Sequence, residues 1–199
     1  MKSRFVISAA SAADFPHTGF PEIAFVGRSN VGKSSLINAL VKQPIARTSA
    51  APGKTRLANY YLVEPSTSTS ELRPLYLVDL PGYGYARGGA DAAREFEELA
   101  SQYFTGGAPS RRLAGVLHLV DSRHPELPQD AAAHAWVQRT GLPLLVVATK
   151  IDKLTQSEKA RMLRALAAQY PSGATTASAH DGSGIDALWK VMLAWARGA

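Results

Sequence analysis

The feature that most constrains the fold of this chain is a glycine-rich loop, residues 27–35, which reads GRSNVGKSS. The loop fits the pattern G-x-x-x-x-G-K-[ST], which is typical of phosphate-binding loops. It follows a short apolar run at 23–26, and the segment 36–40 continues from it as a helix. In this context backbone N–H groups turn inward around phosphate oxygens, and the helix N-terminus adds a favourable dipole. The sequence therefore predicts a nucleotide-phosphate site between a buried strand and a helix.

Two side chains of the loop carry chemistry that a bound nucleotide needs. Lys33 can reach the β- and γ-phosphates, and the Ser34 hydroxyl can ligate Mg²⁺. The predicted contacts of the loop are Gly27, Arg28, Ser29, Asn30, Val31, Gly32, Lys33 and Ser34. The alternative is a chance turn rich in glycine and serine, which the flanking strand and helix disfavour.

Apolar, strand-like runs alternate with amphipathic helical segments along most of the chain. The predicted strands are 5–9, 22–27, 57–64, 75–78, 113–120, 142–148 and 175–179. The predicted helices are 33–41, 91–104, 128–139, 155–169 and 183–197. This alternation favours a three-layer α/β fold, in which a mostly parallel sheet has helices on both faces. We expect one domain over residues 1–199, with the short strand 5–9 added to its core.

Composition excludes several classes of site. The 199 residues include no cysteine, which excludes disulfides, iron–sulfur clusters and thiolate zinc sites and agrees with a reducing cytoplasm. No apolar run approaches the ~20 residues that span a bilayer, so no membrane insertion is expected. The net charge of +6 suits a polyanion such as RNA, although a solvated basic surface explains it as well. The candidate RNA contacts are Arg111, Arg112, Lys153, Lys159, Arg161 and Arg164.

A second polar motif follows the apolar strand at 75–78. It consists of Asp79, Leu80, Pro81 and Gly82. An aspartate at the end of such a strand can hold Mg²⁺ through its water shell, and the Gly82 N–H can reach a γ-phosphate. Alone, D-x-x-G also describes a simple exit from a strand into a turn. Downstream of a phosphate loop it indicates a site for a nucleoside triphosphate.

The strand at 142–148 leads into a signature for the base, formed by Thr149, Lys150, Ile151 and Asp152. The Asp152 carboxylate can accept hydrogen bonds from N1–H and the N2 amino group of guanine, a donor pair that adenine lacks. Lys150 can lay its aliphatic stem over the base, while Thr149 stands where asparagine is commoner. The alternative makes Asp152 a helix-capping acid. After the last strand, backbone groups of Ser178, Ala179 and His180 can support the guanine, with His180 itself an exposed loop residue.

A threonine is expected between the phosphate loop and Asp79, where it would close on Mg²⁺ and the γ-phosphate. The segment 47–55 reads RTSAAPGKT and offers two candidates. We favour Thr55, and Thr48 is the second candidate.

These motifs together resemble the EngB (YihA/YsxC) family, bacterial GTPases of the TrmE–Era–EngA group. The segments that carry the resemblance are GRSNVGKSS, RTSAAPGKT, DLPGYGYA, DSRH and TKIDKL. The family implies a P-loop GTPase fold, binding of GTP or GDP and Mg²⁺, and a role in assembly of the large ribosomal subunit with an association with cell division and septation. By motif, the implied GTP contacts are the loop 27–34, Gly53, Lys54, Thr55, Arg56, Leu57, the D-x-x-G motif, the TKID motif and residues 178–180. The implied Mg²⁺ ligands are Ser34 and Thr55. The serine- and threonine-rich stretch at 65–70 departs from the family pattern.

The residue after the D-x-x-G glycine is Tyr83, where many GTPases place a glutamine that orients water. We therefore predict slow hydrolysis by Lys33, Thr55 and Gly82 until another group completes the site. K⁺ held by Asn30 is one candidate, although Asn30 could instead only brace the loop; a ribosomal partner is the other. Two further hypotheses are a weakly catalytic binding module for a division protein and a P-loop ATPase, against which Asp152 argues. A cytoplasmic monomer is expected.

Overall fold

A computed structural model of the chain describes residues 2–48, 57–64, 73–84, 89–106 and 110–199. The strands of this part are β1 (Lys2–Ala9), β2 (Pro21–Gly27), β3 (Ala58–Glu64), β4 (Leu75–Asp79), β5 (Arg112–Asp121), β6 (Leu144–Thr149) and β7 (Ala174–Thr176). The α-helices are α1 (Lys33–Val41), α2 (Gly89–Thr105), α3 (Pro128–Gln138), α4 (Gln156–Gln169) and α5 (Ile185–Gly198). Among the described residues, no helix is long and apolar enough to cross a membrane.

The seven strands form one sheet in the order β1-β3-β4-β2-β5-β6-β7. β3 pairs antiparallel with both β1 and β4, and the other neighbours run parallel. The predicted mostly parallel α/β sheet is thus confirmed. β2 lies near its centre, and all seven of its residues are buried because strands on both sides and helices on both faces enclose it.

Helices cover the sheet on both faces, which gives the three predicted layers. On one face Leu36 and Leu40 of α1 and Met192 of α5 share a buried cluster with β2 and β5. On the other face Tyr103 of α2 and Val137 of α3 pack in a second cluster with β3 and β4. The same face extends to α4, whose apolar side chains pack on β5 and β6. The apolar periodicity of the helices therefore marks core-facing sides, as amphipathic helices require.

Most strand ends differ from the prediction by one or two residues, and the largest differences are at β1 and β7. β1 begins at Lys2 rather than at residue 5, because the polar residues before Phe5 pair with β3 through backbone groups that apolar periodicity does not detect. β7 ends at Thr176 rather than at residue 179, because Ser178 accepts from Gly182 N–H and donates its own N–H to Ser183, which closes a turn. A capping box opens α4, with Thr155 N–H donating to Glu158 Oε2 at 2.7 Å.

Candidate functional site

The predicted phosphate loop joins β2 to α1 at the carboxyl edge of the parallel strands. Gly32 has a φ of 111°, which L side chains rarely adopt, and it is the residue from which α1 begins. Asn30 has a φ of 61° within the left-handed region that asparagine tolerates. The first amides of α1 are thus presented at the loop, where a helix N-terminus favours an anion.

Lys33 curls back over this loop. Its ammonium donates to the carbonyl oxygens of Gly27, at 3.0 Å, and Arg28, at 3.2 Å. Burial lowers the pKa of Lys33, and the negative charge of Asp79 opposes that shift. The buried cation therefore lies against backbone carbonyls, where phosphate oxygens would be stronger partners.

Ser34 and Asp79 meet beside Lys33, although 45 residues separate them in the chain. The Ser34 hydroxyl donates to Asp79 Oδ2 at 2.7 Å. The other carboxylate oxygen, Oδ1, is buried and has no hydrogen-bond partner in the described part of the chain. Burial raises the pKa of Asp79, while the charge of Lys33 and the Ser34 hydrogen bond lower it. A hydroxyl beside an unsatisfied carboxylate oxygen fits a hydrated Mg²⁺, which prefers oxygen ligands and keeps several waters.

Gly82 brings the D-x-x-G motif against the same loop. A Cβ atom built on Gly82 would lie 2.6 Å from the Ser29 nitrogen, so a larger residue would push the two backbones apart. The Ser29 N–H donates to the carbonyl oxygen of Tyr83 at 3.1 Å and fixes this approach. The phosphate loop and the D-x-x-G motif are therefore in direct backbone contact.

The TKID motif begins at the last residue of β6 and also contacts the phosphate loop. The Thr149 hydroxyl lies 2.6 Å from the Val31 carbonyl oxygen and 3.1 Å from that of Val120, so the threonine braces the loop. Lys150 extends over the loop and donates from Nζ to the carbonyl oxygen of Asn30 at 2.7 Å. The Lys150 stem thus spans the distance from β6 to the phosphate loop.

Asp152 is held by the segment that follows β7. Ser178 is buried, and its hydroxyl donates to Asp152 Oδ1 at 2.8 Å while accepting from the His180 N–H at 3.1 Å. Burial raises the pKa of Asp152, but the Ser178 hydrogen bond and neighbouring Lys153 outweigh it and hold this pKa below its ordinary value. Ala179 and His180 are exposed. The arrangement presents an ionised acceptor at the end of the sheet, as recognition of the guanine N1–H and N2 amino group requires.

Asp121, at the end of β5, lies beside Lys150 of the TKID motif and was not among the predicted site residues. Its carboxylate accepts from Lys150 Nζ at 2.9 Å and pairs with Arg123 at 2.7 Å. Burial raises the pKa of Asp121, but its hydrogen bonds from Arg123 and Lys150 place it far below its usual range. The signal was its position after an apolar strand, the same signal that identified Asp79.

The prediction that Arg111 contacts RNA is wrong, because its side chain is only 4% exposed. Its guanidinium pairs with Glu22 at 2.7 Å and lies over the rings of Phe15 and Tyr103. Arg112, Lys153, Arg161 and Arg164 are exposed, and Lys159 is half-buried.

Several predicted contacts lie outside the described residues. They are Gly53, Lys54, Thr55 and Arg56. The stretch 65–70, for which no contact was predicted, also lies outside the described residues. Leu57 is described and lies exposed just before β3, and Thr48 is also exposed.

Comparisons with known proteins agree with this geometry. A family model described as "50S ribosome-binding GTPase" matches residues 22–150. The probable GTP-binding protein EngB of Leuconostoc citreum is 46% identical over 154 residues, which cover 77% of this chain and 74% of the relative. The protein of the same name from Lactiplantibacillus plantarum is 40% identical over 190 residues, covering 93% of this chain and 91% of the relative.

The fold is also that of solved structures. An Era variant from Aquifex aeolicus bound to GDP·AlF4⁻ superposes with a TM-score of 0.72 at 23% identity, covering 87% of this chain and 56% of that chain. The predicted P-loop GTPase fold is thereby confirmed. Because the family model spans more than half of the chain and both relatives match most of it, the chain belongs to the EngB family of GTP-binding proteins.

Proposed function

We propose that the protein is a GTP-driven switch that hydrolyses GTP slowly and acts in assembly of the large ribosomal subunit, with consequences for cell division and septation. The observation that carries the proposal is the meeting of three motifs at one edge of the sheet: Lys33 with Ser34, Asp79 with Gly82, and Asp152 with Ser178. The description of the matching family model supports the ribosomal partner. Such a partner places the protein in the cytoplasm, where we expect it to act as a monomer.

In this proposal the nucleotide is held at both of its ends. The loop 27–34 and Lys33 bind the phosphates, and the base lies between Lys150 and Asp152, with backbone support from 178–180. Ser34, Thr55 and Asp79 would hold Mg²⁺, and residues 53–57 would supply further contacts to the nucleotide. When bound, Mg²⁺ neutralises charge that develops on the phosphate oxygens. Gly82 offers its N–H to the γ-phosphate, which a diphosphate lacks.

Slow hydrolysis follows from the position of Tyr83. Its ring is buried beside His118, and its hydroxyl donates to Asp130 Oδ1 at 2.8 Å. A side chain held in this way cannot orient an attacking water as a glutamine does. The catalytic groups left to the chain are Lys33, Thr55 and Gly82, with Asn30 as a candidate ligand for K⁺.

Turnover is expected to be about tenfold faster in KCl than in NaCl at equal ionic strength, which corresponds to ~1.4 kcal/mol of barrier. Asn30 is exposed, its carbonyl braces Lys150, and no hydrogen bond holds its side chain within the described residues, which leaves the amide oxygen available to a cation. Steady-state phosphate release measures the effect. Asn30→Ala should remove the difference between the salts, and equal rates for the unaltered protein would contradict the K⁺ proposal.

The ribosomal role is tested by co-sedimentation with precursors of the large subunit. The protein loaded with a non-hydrolysable GTP analogue is expected to co-sediment, and the GDP form is expected to stay in the supernatant. Because RNA binding by basic side chains releases counterions, we expect the bound fraction to fall steeply with salt. Arg161→Gln with Arg164→Gln reduces charge on the exposed side of α4 and should lower the bound fraction, and Lys190→Gln on the exposed side of α5 provides a control. Equal sedimentation with both nucleotides, or none, would favour instead the competing function, a weakly catalytic module for a division protein.

A further inference from the structure

A buried polar network lies behind the D-x-x-G motif. The Tyr83 hydroxyl donates to Asp130 Oδ1 and lies 2.8 Å from Nε2 of His118. Asp130 is in the first turn of α3 and is fully buried, and burial lowers the pKa of His118 to about 3. His118 is therefore neutral, and its Nε2–H donates a hydrogen bond to the tyrosine oxygen. The tyrosine hydroxyl in turn donates its hydrogen bond to Asp130. In this tautomer His118 Nδ1 carries no proton, and it has no hydrogen-bond partner among the described residues.

The same carboxylate also holds the phosphate loop. Arg28, the second residue of that loop, places its guanidinium Nε 3.1 Å from Asp130 Oδ1 and 3.3 Å from Oδ2. Asp130 is thus the one residue of α3 that joins Arg28 of the loop to Tyr83 of the next motif. Burial raises the pKa of Asp130, while the Tyr83 hydrogen bond and the charge of Arg28 lower it. Loss of either partner would leave a buried carboxylate less well satisfied.

The network also holds Gly82, the residue proposed to contact the γ-phosphate. Gly82 lies between Asp79 and Tyr83, and its Cα faces the backbone of Ser29 with no room for a side chain. Tyr83 is anchored at two points, since its carbonyl accepts from Ser29 N–H and its hydroxyl donates to Asp130. Gly82 therefore cannot move away from the loop unless Tyr83 leaves its buried site.

We propose that Asp130 is a positioning residue for GTP, because it ties Tyr83 and Arg28 together and so keeps the Gly82 amide beside the phosphate loop. This inference rests on the proposed GTP-driven switch. A diphosphate has no γ-phosphate for Gly82 to contact, so the network affects the triphosphate state selectively. It also gives Tyr83 a function at a position where other GTPases have glutamine: the tyrosine anchors the motif and leaves activation of water to other groups.

The test uses Asp130→Asn and Tyr83→Phe in the full chain. Each variant is compared with unaltered protein in its affinity for GDP, its affinity for a non-hydrolysable GTP analogue, and its single-turnover hydrolysis of GTP. We expect Asp130→Asn to lower the affinity for the analogue relative to GDP about tenfold and to slow hydrolysis by a similar factor, while GDP binding stays within about twofold. Tyr83→Phe keeps the ring and should produce a smaller shift in the same direction.

Matched controls come from a similar buried group at the other end of β2. Glu22 pairs with Arg111 much as Asp130 pairs with Arg28, and the Tyr60 hydroxyl lies 3.4 Å from the Arg111 guanidinium. Glu22→Gln and Tyr60→Phe should therefore lower the unfolding temperature without changing the preference between the nucleotides. A purely structural Asp130 would behave like these controls.

Two outcomes would overturn the proposal. One is an unchanged preference and rate in both Asp130→Asn and Tyr83→Phe. The other is an equal loss of affinity for GDP and the analogue, as a general loss of folding produces. Because the measurements use isolated protein, they are independent of the ribosomal assay. A shifted preference in Asp130→Asn with no ribosome binding by unaltered protein would retain this inference and reject the ribosomal role.

Discussion

Replacing Asp152 by asparagine is expected to change the base preference of the protein from guanine towards xanthine. In the proposed site the carboxylate accepts from two donors of guanine, and an amide nitrogen in the place of one oxygen would face a donor instead. Hydrogen bonds to a charged group contribute about 1.5–3 kcal/mol each, so we expect the loss of one of them to lower GTP affinity about 10- to 150-fold. Xanthine has a carbonyl oxygen at C2 that can accept from the new amide.

The structure makes this substitution a clean test of the guanine assignment. The Ser178 hydroxyl that donates to Asp152 Oδ1 can donate equally to an asparagine oxygen, which leaves the amide nitrogen for the base. Competition of GTP, XTP and ATP against a fluorescent GDP measures the three affinities. Asp186→Asn removes the same charge from an exposed position on α5 and serves as the matched control. If GTP affinity were unchanged and XTP affinity did not rise, Asp152 would not be the guanine acceptor. The hypothesis of a P-loop ATPase would then stand again.

The parts of the site that could be predicted from sequence are those whose chemistry is local. The phosphate loop, Asp79 and Asp152 each follow an apolar strand, and parallel strands bring their carboxyl ends to one edge of a sheet. That rule is enough to predict that Lys33, Asp79 and Asp152 belong to a common site. It does not predict which side chains of different strands touch, because contacts depend on the order and register of the strands.

Lys150 and Thr149 make contacts that the sequence does not predict. The pairing of β5 with β6 places Asp121 directly opposite Thr149, and Lys150 then reaches Asp121 as well as Asn30. Thr149, a departure from the usual asparagine, braces Val31, which lies 118 residues away in the chain. The link from Arg28 to Asp130 spans 102 residues and has no local pattern at all. Such contacts require knowledge of the tertiary structure.

Arg111 failed as a predicted RNA contact for a related reason. Net charge does not distinguish a basic residue on the surface from one that neutralises a buried acid. The clue in the sequence was Glu22, a carboxylate near the start of a predicted core strand, which requires a partner because an unpaired buried charge is costly. Arg111 supplies it from the residue before β5, and its guanidinium also donates to the carbonyl oxygens of Tyr103 and Gly106 at the end of α2.

Glu22→Gln is expected to reduce the free energy of unfolding by about 3 kcal/mol, within the range found when one partner of a buried pair is removed. The glutamine leaves the Arg111 guanidinium buried without a counter-charge. Arginine keeps its proton in proteins, so Arg111 cannot adapt to the loss of Glu22 by becoming neutral. For a chain of this size the change corresponds to a fall of about 6–12 °C in Tm.

Urea unfolding and calorimetry measure this effect, and two further variants determine its origin. Arg112→Gln alters the exposed neighbour and should change stability by less than about 0.5 kcal/mol. Glu22→Met combined with Arg111→Met removes both charges. This double variant should be more stable than Glu22→Met alone or Arg111→Met alone, because neither charge is then buried without its partner. If the double variant were as unstable as the sum of the two single variants, the ion pair would not be the cause. Nucleotide affinity should be unchanged throughout, since Glu22 lies at the opposite end of β2 from the phosphate loop and Arg111 stabilises the fold rather than the site.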